Sequence, residues 1–194
     1  MTVMAGLEQP VLDTQRIFRG ALDAMSHPGR VVSVPPPLEI PEPLQPATAC
    51  LCLTLVDGDT PVWLDAAARR PEVIEYLRFH CGCPIVTDPV GSRFAVVADP
   101  GAMPPLEAFD QGSDEYPDRS ATLIVQVEAL GAGVEARLTG PGIDIETRLA
   151  VWRLPRTFWP SVRQNHARFP RGIDLILTSG LSMVALPRTT RVDD

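Results

Sequence analysis

The sequence predicts an α/β domain built on a mixed sheet. Helix-periodic and strand-like segments alternate along 194 residues without an internal repeat. Ala121–Leu130, rich in Leu, Ile and Val, runs through Gly131–Gly133 towards a second strand pattern at Val134–Thr139, the order of an antiparallel hairpin. A further pair, Ile173–Thr178 and Met183–Leu186, brackets a turn at Ser179–Gly180. The length fits one domain spanning residues 1–194, with its ordered core expected over residues 10–190. Apolar residues at 45% and charged residues at 21% are ordinary for a globular chain and exclude wholesale disorder.

From the N-terminus, Ile17, Phe18, Ala21, Leu22 and Met25 recur at helical spacing, Asp13 can cap the start and Pro28-Gly29 forbids continuation; the expected helix is Asp13–Ser26. Arg30–Val34 reads as a short strand. Six prolines between Pro35 and Pro46 then predict an ordered extended connection. Ala47–Val56 is apolar throughout; Pro46 before it and Asp57-Gly58-Asp59 after it favour a buried helix over a strand. Thr60–Leu64 looks like a strand, and Pro71 opens a helix to about Phe79 that Gly82 ends. Pro84–Val86 and Arg93–Ala98 are strand candidates, and prolines, glycines and acids between Pro100 and Pro117 predict an irregular surface segment. After the first hairpin, Leu149–Leu154 adds a strand and Thr157–Arg168 a helix. Ala121–Val127, apolar on both faces, is expected among the most buried segments.

All 17 basic residues are arginine. A Schiff-base lysine and a Walker A lysine are therefore excluded. Cys50-x-Cys52 and Cys81-x-Cys83, with His80 beside the second pair, invite a zinc reading. The single-residue spacing and the apolar run around the first pair favour buried reduced thiols, and no metal is expected. His27, His80 and His166 are the only histidines, and no nucleophile–base spacing distinguishes them.

The net charge is −7, but its sign reverses along the chain: residues 1–147 carry 9 arginines against 21 acids, and residues 148–194 carry 8 against 3. Arg148–Arg171 holds six arginines and His166 without an acid, interleaved with Trp152, Phe158, Trp159 and Phe169. This segment is expected to contribute to a protein or anion interface; the alternative is an exposed helix whose arginines pair with acids from the rest of the chain. Nucleic acid is not expected of so acidic a protein. Gly140-Pro141-Gly142 could form an anion nest, although such a turn is more often only a turn. No stretch approaches the roughly 20 apolar residues of a membrane helix, and Met1–Pro10 lacks a signal pattern, so a cytoplasmic location is expected.

The turn sequences form an ordered set. Phe18-Arg19, Ala24-Met25-Ser26-His27-Pro28-Gly29, Leu53-Thr54-Leu55-Val56-Asp57 and Thr60-Pro61-Val62-Trp63-Leu64 are followed by Arg78-Phe79-His80 and Ser120-Ala121-Thr122-Leu123. Leu138-Thr139-Gly140-Pro141-Gly142-Ile143, Phe169-Pro170-x-Gly172-Ile173-Asp174 and Leu186-Pro187-Arg188-Thr189-Thr190 complete it. The set, from Phe18 to Thr190, resembles the PhnH family, a subunit of the bacterial carbon-phosphorus (C-P) lyase system of phosphonate catabolism.

The resemblance implies a three-layer α/β sandwich with a mixed central sheet, related to pyridoxal-phosphate (PLP)-dependent transferases but without PLP. It also implies a homodimer when isolated, and other C-P lyase subunits as partners. The implied role is auxiliary: support for making α-D-ribose 1-methylphosphonate 5-triphosphate from ATP and methylphosphonate. No catalytic residue is carried over. Arg19, Arg30, His80, Gly140, Gly142, Arg163, Arg168 and Arg188 are the candidates for contact with a ligand or partner, an anionic phosphonate or nucleotide being the expected ligand. Two alternatives stay open: an enzyme in its own right, with a phosphate pocket made from Arg19, Arg30, His80 and Arg188, and a purely architectural dimer.

Overall fold

A computed structural model describes residues 5–193. The expectations for Met1–Pro10 and for the 1–194 span fall in part outside them. The described residues form an α/β structure with four α-helices and two sheets. Helix α1 (Pro10–Ser26) leads to β1 (Val32–Ser33), α2 (Pro46–Leu55), β2 (Val62–Leu64) and α3 (Pro71–Cys81). Next come β3 (Ile85–Val86), β4 (Phe94–Val97), β5 (Thr122–Gln126), β6 (Ala129–Thr139) and β7 (Thr147–Trp152). The last elements are α4 (Phe158–His166), β8 (Asp174–Ser179), β9 (Ser182–Leu186) and β10 (Arg191–Asp193).

Seven strands form the central sheet in the order β1-β9-β8-β5-β4-β2-β3. Its inner strands pair in parallel, β5 matching Leu123 with Ala95 of β4 and with Leu175 of β8. The expected β8–β9 hairpin is present and antiparallel, and β1 adds antiparallel to β9, so the sheet is mixed. A separate antiparallel sheet has the order β10-β6-β7.

The expected Ala121–Thr139 hairpin does not form. Leu123 and Val125 are buried on one face of β5 and Ile124 on the other, and parallel neighbours occupy both its edges. No edge is left for β6. The sequence changes character at Glu128: beyond it, exposed Glu135 and Arg137 alternate with buried Ala136 and Leu138, the pattern of a strand covered on one face. Gly131 and Gly133 do not close a turn either. They lie inside β6, where the register with β7 shifts between Leu130 and Val134. The burial expected of Ala121–Val127 is found, with only Thr122 half-buried.

Apolar clusters cover both faces of the central sheet. One packs Val62, Val96, Ile124 and Ile176 under α1, α2 and α3; α2 is buried on nearly every side because its residues 47–52 carry no charge. The other packs Leu123, Val125, Leu175 and Leu177 against Leu138, Leu149 and Val192 of the second sheet and Phe158 and Val162 of α4. Leu106 and Phe109 belong to this cluster, so the segment expected as irregular surface between Pro100 and Pro117 is irregular, with two short 3-10 turns and a third starting at Pro117, but anchored in the core. Helix α1 starts a turn earlier than Asp13, at Pro10. Asp13 acts backwards as a cap, its carboxylate accepting the Gln9 N–H at 2.9 Å. Strand β10, too short for a periodicity, is an addition to the expected elements.

Asp65 shows how polar groups hold the crossovers. It is 3% exposed at the end of β2, and its carboxylate accepts the N–H groups of Ala68, Ala98 and Asp99 at 2.7–2.9 Å. It thus ties β2 to the exit of β4.

The four cysteines are free thiols. Cys50 donates to the Pro35 carbonyl, Cys81 to that of Cys52 and Cys83 to that of Leu77. Among the described residues no group of three or more His, Cys, Asp or Glu side chains could hold a metal ion. Burial, with Asp13 nearby, pushes the Cys50 thiol up to about 12; burial, with Cys83 and Asp57 adding to it, does the same for Cys81. Unfolding restores ordinary thiols that ionise from about pH 9. The folded chain therefore keeps protons that the unfolded chain loses, and stability should fall between about pH 9 and 12, by up to about 1.4 kcal/mol per pH unit for each thiol. Urea midpoints at pH 8 and 10.5 check this, and Cys50→Ala should flatten the decline.

Candidate functional site

Segments far apart in sequence meet in one two-lobed cleft. The larger lobe, about 460 Å³, lies between the end of α1 (Met25, Ser26), Pro117-Asp118, Pro141-Gly142, Phe169-Pro170, Asp174 and Pro187–Thr189. The smaller, about 350 Å³, adds Gly140, His166 and Arg191 and shares Pro141, Phe169 and Thr189 with the first. Four of the turn sequences noted above thus form one wall system. Proline and aromatic surface dominates it, with a few fixed polar groups, as in most small-molecule sites.

Glycine is required where the walls meet. A Cβ on Gly142, φ +82°, would lie 2.0 Å from the Ser26 carbonyl oxygen, and one on Gly140, φ +130°, 2.9 Å from the Thr189 carbonyl oxygen. Both positions need the left-handed region and the missing side chain at once. The Gly140–Gly142 segment works as a wedge between α1 and the 187–190 segment. Its only turn bond runs from the Ile143 N–H to the Gly140 carbonyl, and Pro141 supplies no N–H.

Arg188 lies in the cleft wall but is committed to the fold. Its guanidinium grips Asp174 through Nε (3.2 Å) and Nη2 (2.6 Å), reaches the Pro117 carbonyl and Ser120 Oγ, and its backbone N–H donates to Asp174 as well. The two side chains are 12% and 17% exposed. The Arg188 carbonyl then accepts from His166 Nδ1 at 3.0 Å. A carbonyl only accepts, so Nδ1 carries the hydrogen and Nε2 is left as an acceptor, which Arg191 Nε–H fills at 3.3 Å. A chain of bonds thus runs from β8 through Arg188 and His166 to the exposed guanidinium of Arg191.

The other candidates lie elsewhere. Arg19 is exposed on α1, and Arg30 pairs with Asp23 at 3.1 Å. His80, at the end of α3, packs against Tyr76 and Phe79 with ring centroids 4.6 and 5.0 Å away. Of Arg19, Arg30, His80 and Arg188, only Arg188 lines the cleft. Arg163 lines a separate cavity of about 590 Å³ with Arg137, Arg148, Arg156 and the acids Glu135 and Asp193. Arg168 pairs with Glu107 at 2.9 Å.

The basic segment is largely neutralised. Arg148, Arg153, Arg168 and Arg171 pair with Glu135, Glu128, Glu107 and Asp114, all from the acidic part of the chain. That is the ion-paired alternative, with the pairs on a strand and in turns instead of along one helix. Sequence reasoning passed over Asp174, Ser120, Phe169 and Arg191 as site residues, and it gave His166 only a surface or packing role. The first three stand inside quoted turn sequences; nothing local announces that Asp174 meets Arg188 across a hairpin.

Comparison with known proteins gives the family. The family described as "Bacterial phosphonate metabolism protein (PhnH)" matches residues 5–193. The chain is 39% identical over 184 residues to the α-D-ribose 1-methylphosphonate 5-triphosphate synthase subunit PhnH of Rhizobium meliloti (strain 1021), covering 95% of this chain and 92% of that one. It is 33% identical over 180 residues to HtxG of Stutzerimonas stutzeri, named as a candidate C-P lyase subunit, covering 92% and 85%. With one family description spanning the whole cleft and both sheets, the chain belongs to the PhnH family of bacterial phosphonate metabolism proteins.

Proposed function

We propose that the protein is an auxiliary subunit of the C-P lyase machinery, supporting synthesis of α-D-ribose 1-methylphosphonate 5-triphosphate from ATP and methylphosphonate alongside the other subunits. The observation that carries this reading is the 39% identity to a synthase subunit over nearly the full length of both chains. The site chemistry supports an auxiliary role. Displacing adenine from ribose calls for stabilised ribosyl charge, help for the leaving base and a placed phosphonate. The cleft offers Arg188 already engaged with Asp174, and His166 with both ring nitrogens engaged. Neither is poised to transfer a proton.

The finer parts of the reading are a homodimer in isolation, a three-layer fold akin to PLP-dependent transferases without PLP, and a cytoplasmic location. The lysine-free chain supports the second, since no side chain can form the aldimine. Among the described residues no helix is long and apolar enough to cross a membrane.

Adenine release from ATP plus methylphosphonate tests the proposal. The pure protein should release none, the remaining subunits little, and the complete mixture at least tenfold more. Release by the pure protein, abolished by His166→Ala, would establish an enzyme in its own right instead.

A further inference from the structure

Like Arg156, Arg191 holds no carboxylate among the described residues, and of the two only Arg191 opens on this cleft. After residue 147, Arg148, Arg153, Arg168, Arg171 and Arg188 each hold a carboxylate. Arg191 is exposed on the cleft and has no carboxylate partner among the described residues; its only hydrogen bond there runs from Nε to His166 Nε2. That bond does not neutralise the guanidinium. It orients it, and His166 is itself held by the carbonyl of Arg188, whose side chain is fixed by Asp174. Both Nη groups remain available as a planar fork for an oxyanion.

The rest of the cleft supplies a different surface. Phe169 is 58% exposed where the two lobes join, and Met25, Pro141 and Pro187 continue its apolar wall into the larger lobe. Asp118, at the edge of that lobe, has no partner among the described residues and presents a carboxylate acceptor. One end of the cleft therefore carries a cation without a carboxylate, while the other is largely apolar, its Arg188 already paired with Asp174, and is edged by an acceptor that repels phosphate.

We propose that this cleft binds a purine nucleoside phosphate, with the base against Phe169 in the larger lobe and the phosphate chain at Arg191 in the smaller. Asp118 sets the orientation by accepting from an exocyclic amine and excluding the phosphates. The inference rests on the subunit reading, which makes ATP the nucleotide at hand. It assigns this chain a holding role, without turnover.

Calorimetric titration of ATP into the isolated protein at low salt is the test. ATP should bind; Arg191→Gln and Phe169→Ala should each weaken it at least tenfold, and exposed Arg70→Gln, away from the cleft, should leave it unchanged. Inorganic tripolyphosphate and adenosine should each bind at least tenfold more weakly than ATP. No binding of ATP, unchanged affinity in Arg191→Gln, or tripolyphosphate binding as tightly as ATP would overturn the site. Circular dichroism of both cleft variants guards against loss of fold. Adenine release separates the two levels: a complete mixture that releases adenine while the isolated chain ignores ATP sinks the nucleotide site alone. An inactive mixture containing an ATP-binding chain sinks the subunit reading alone.

Discussion

Gly142→Ala should destabilise the protein by about 3–5 kcal/mol, far more than an ordinary glycine substitution. Two costs add. At φ +82° an alanine bears the left-handed penalty of about 1–2 kcal/mol. Its Cβ would also lie 2.0 Å from the Ser26 carbonyl oxygen, and both partners are backbone, so no side chain can swing aside. The wedge must back out of the cleft. Gly180→Ala supplies the control: its φ is +56° and nothing stands within 4 Å of the added Cβ, so only the conformational cost of about 1–2 kcal/mol applies. Urea denaturation of the two variants should separate their midpoints clearly. Equal losses would mean that the 140–142 segment is not wedged against α1. The same Gly142→Ala protein, if folded, should also lose ATP binding, because the wedge forms the wall shared by both lobes.

Arg188→Ala should cost about 3–5 kcal/mol, because it strands a carboxylate in a largely enclosed position. Asp174 would keep the backbone N–H of residue 188 but lose both guanidinium contacts, while the Pro117 carbonyl and Ser120 Oγ would lose their donor. Asp174→Asn in the Arg188→Ala background should recover at least about 1 kcal/mol, because a neutral amide is cheaper to enclose than an unpaired charge. A double-mutant cycle on unfolding free energies measures that coupling. Additive losses would show that the pair is not coupled. This outcome also distinguishes the two roles proposed for Arg188: a ligand contact would cost affinity with little stability, and the geometry here calls for the reverse.

Much of the fold was legible because the local signals agree with the tertiary answer. Pro46 and Pro71 at the starts of α2 and α3, Gly82 at φ +68° after α3, and Ser179–Gly180 between β8 and β9 are chemical punctuation that tertiary packing did not override. What misled was adjacency. Strand patterns separated by glycines look like a hairpin whatever sheet they join. The change from apolar on both faces in β5 to alternation in β6 was the informative signal, and it separates a doubly covered strand from a singly covered one. The site was legible as a set of turn sequences but not as geometry. Asp174 and Arg188 are fourteen residues apart across the β8–β9 hairpin, and no periodicity encodes a meeting decided by register. Arg19, Arg30 and His80 share charge or protonation chemistry with the cleft, yet helix phase and chain path place them elsewhere.

The two ends of the central sheet restrict how the protein can be joined to anything else. Its outermost strands, β1 and β3, are two residues long, with Pro35 shortly after one and Pro84 just before the other. A foreign strand laid along either end would find almost no ladder to copy, and the adjoining prolines lack the N–H it would need. Continuous β-structure across a subunit boundary is therefore closed to the central sheet. In the second sheet β7 offers six residues of outer edge, guarded at its far end by Arg153 at φ +64°, where the chain turns away. Association with sister subunits must accordingly be read from side chains and loop surfaces, or from the edges of the second sheet at β7 and the three-residue β10, and interface disruption by point substitution becomes a workable experiment.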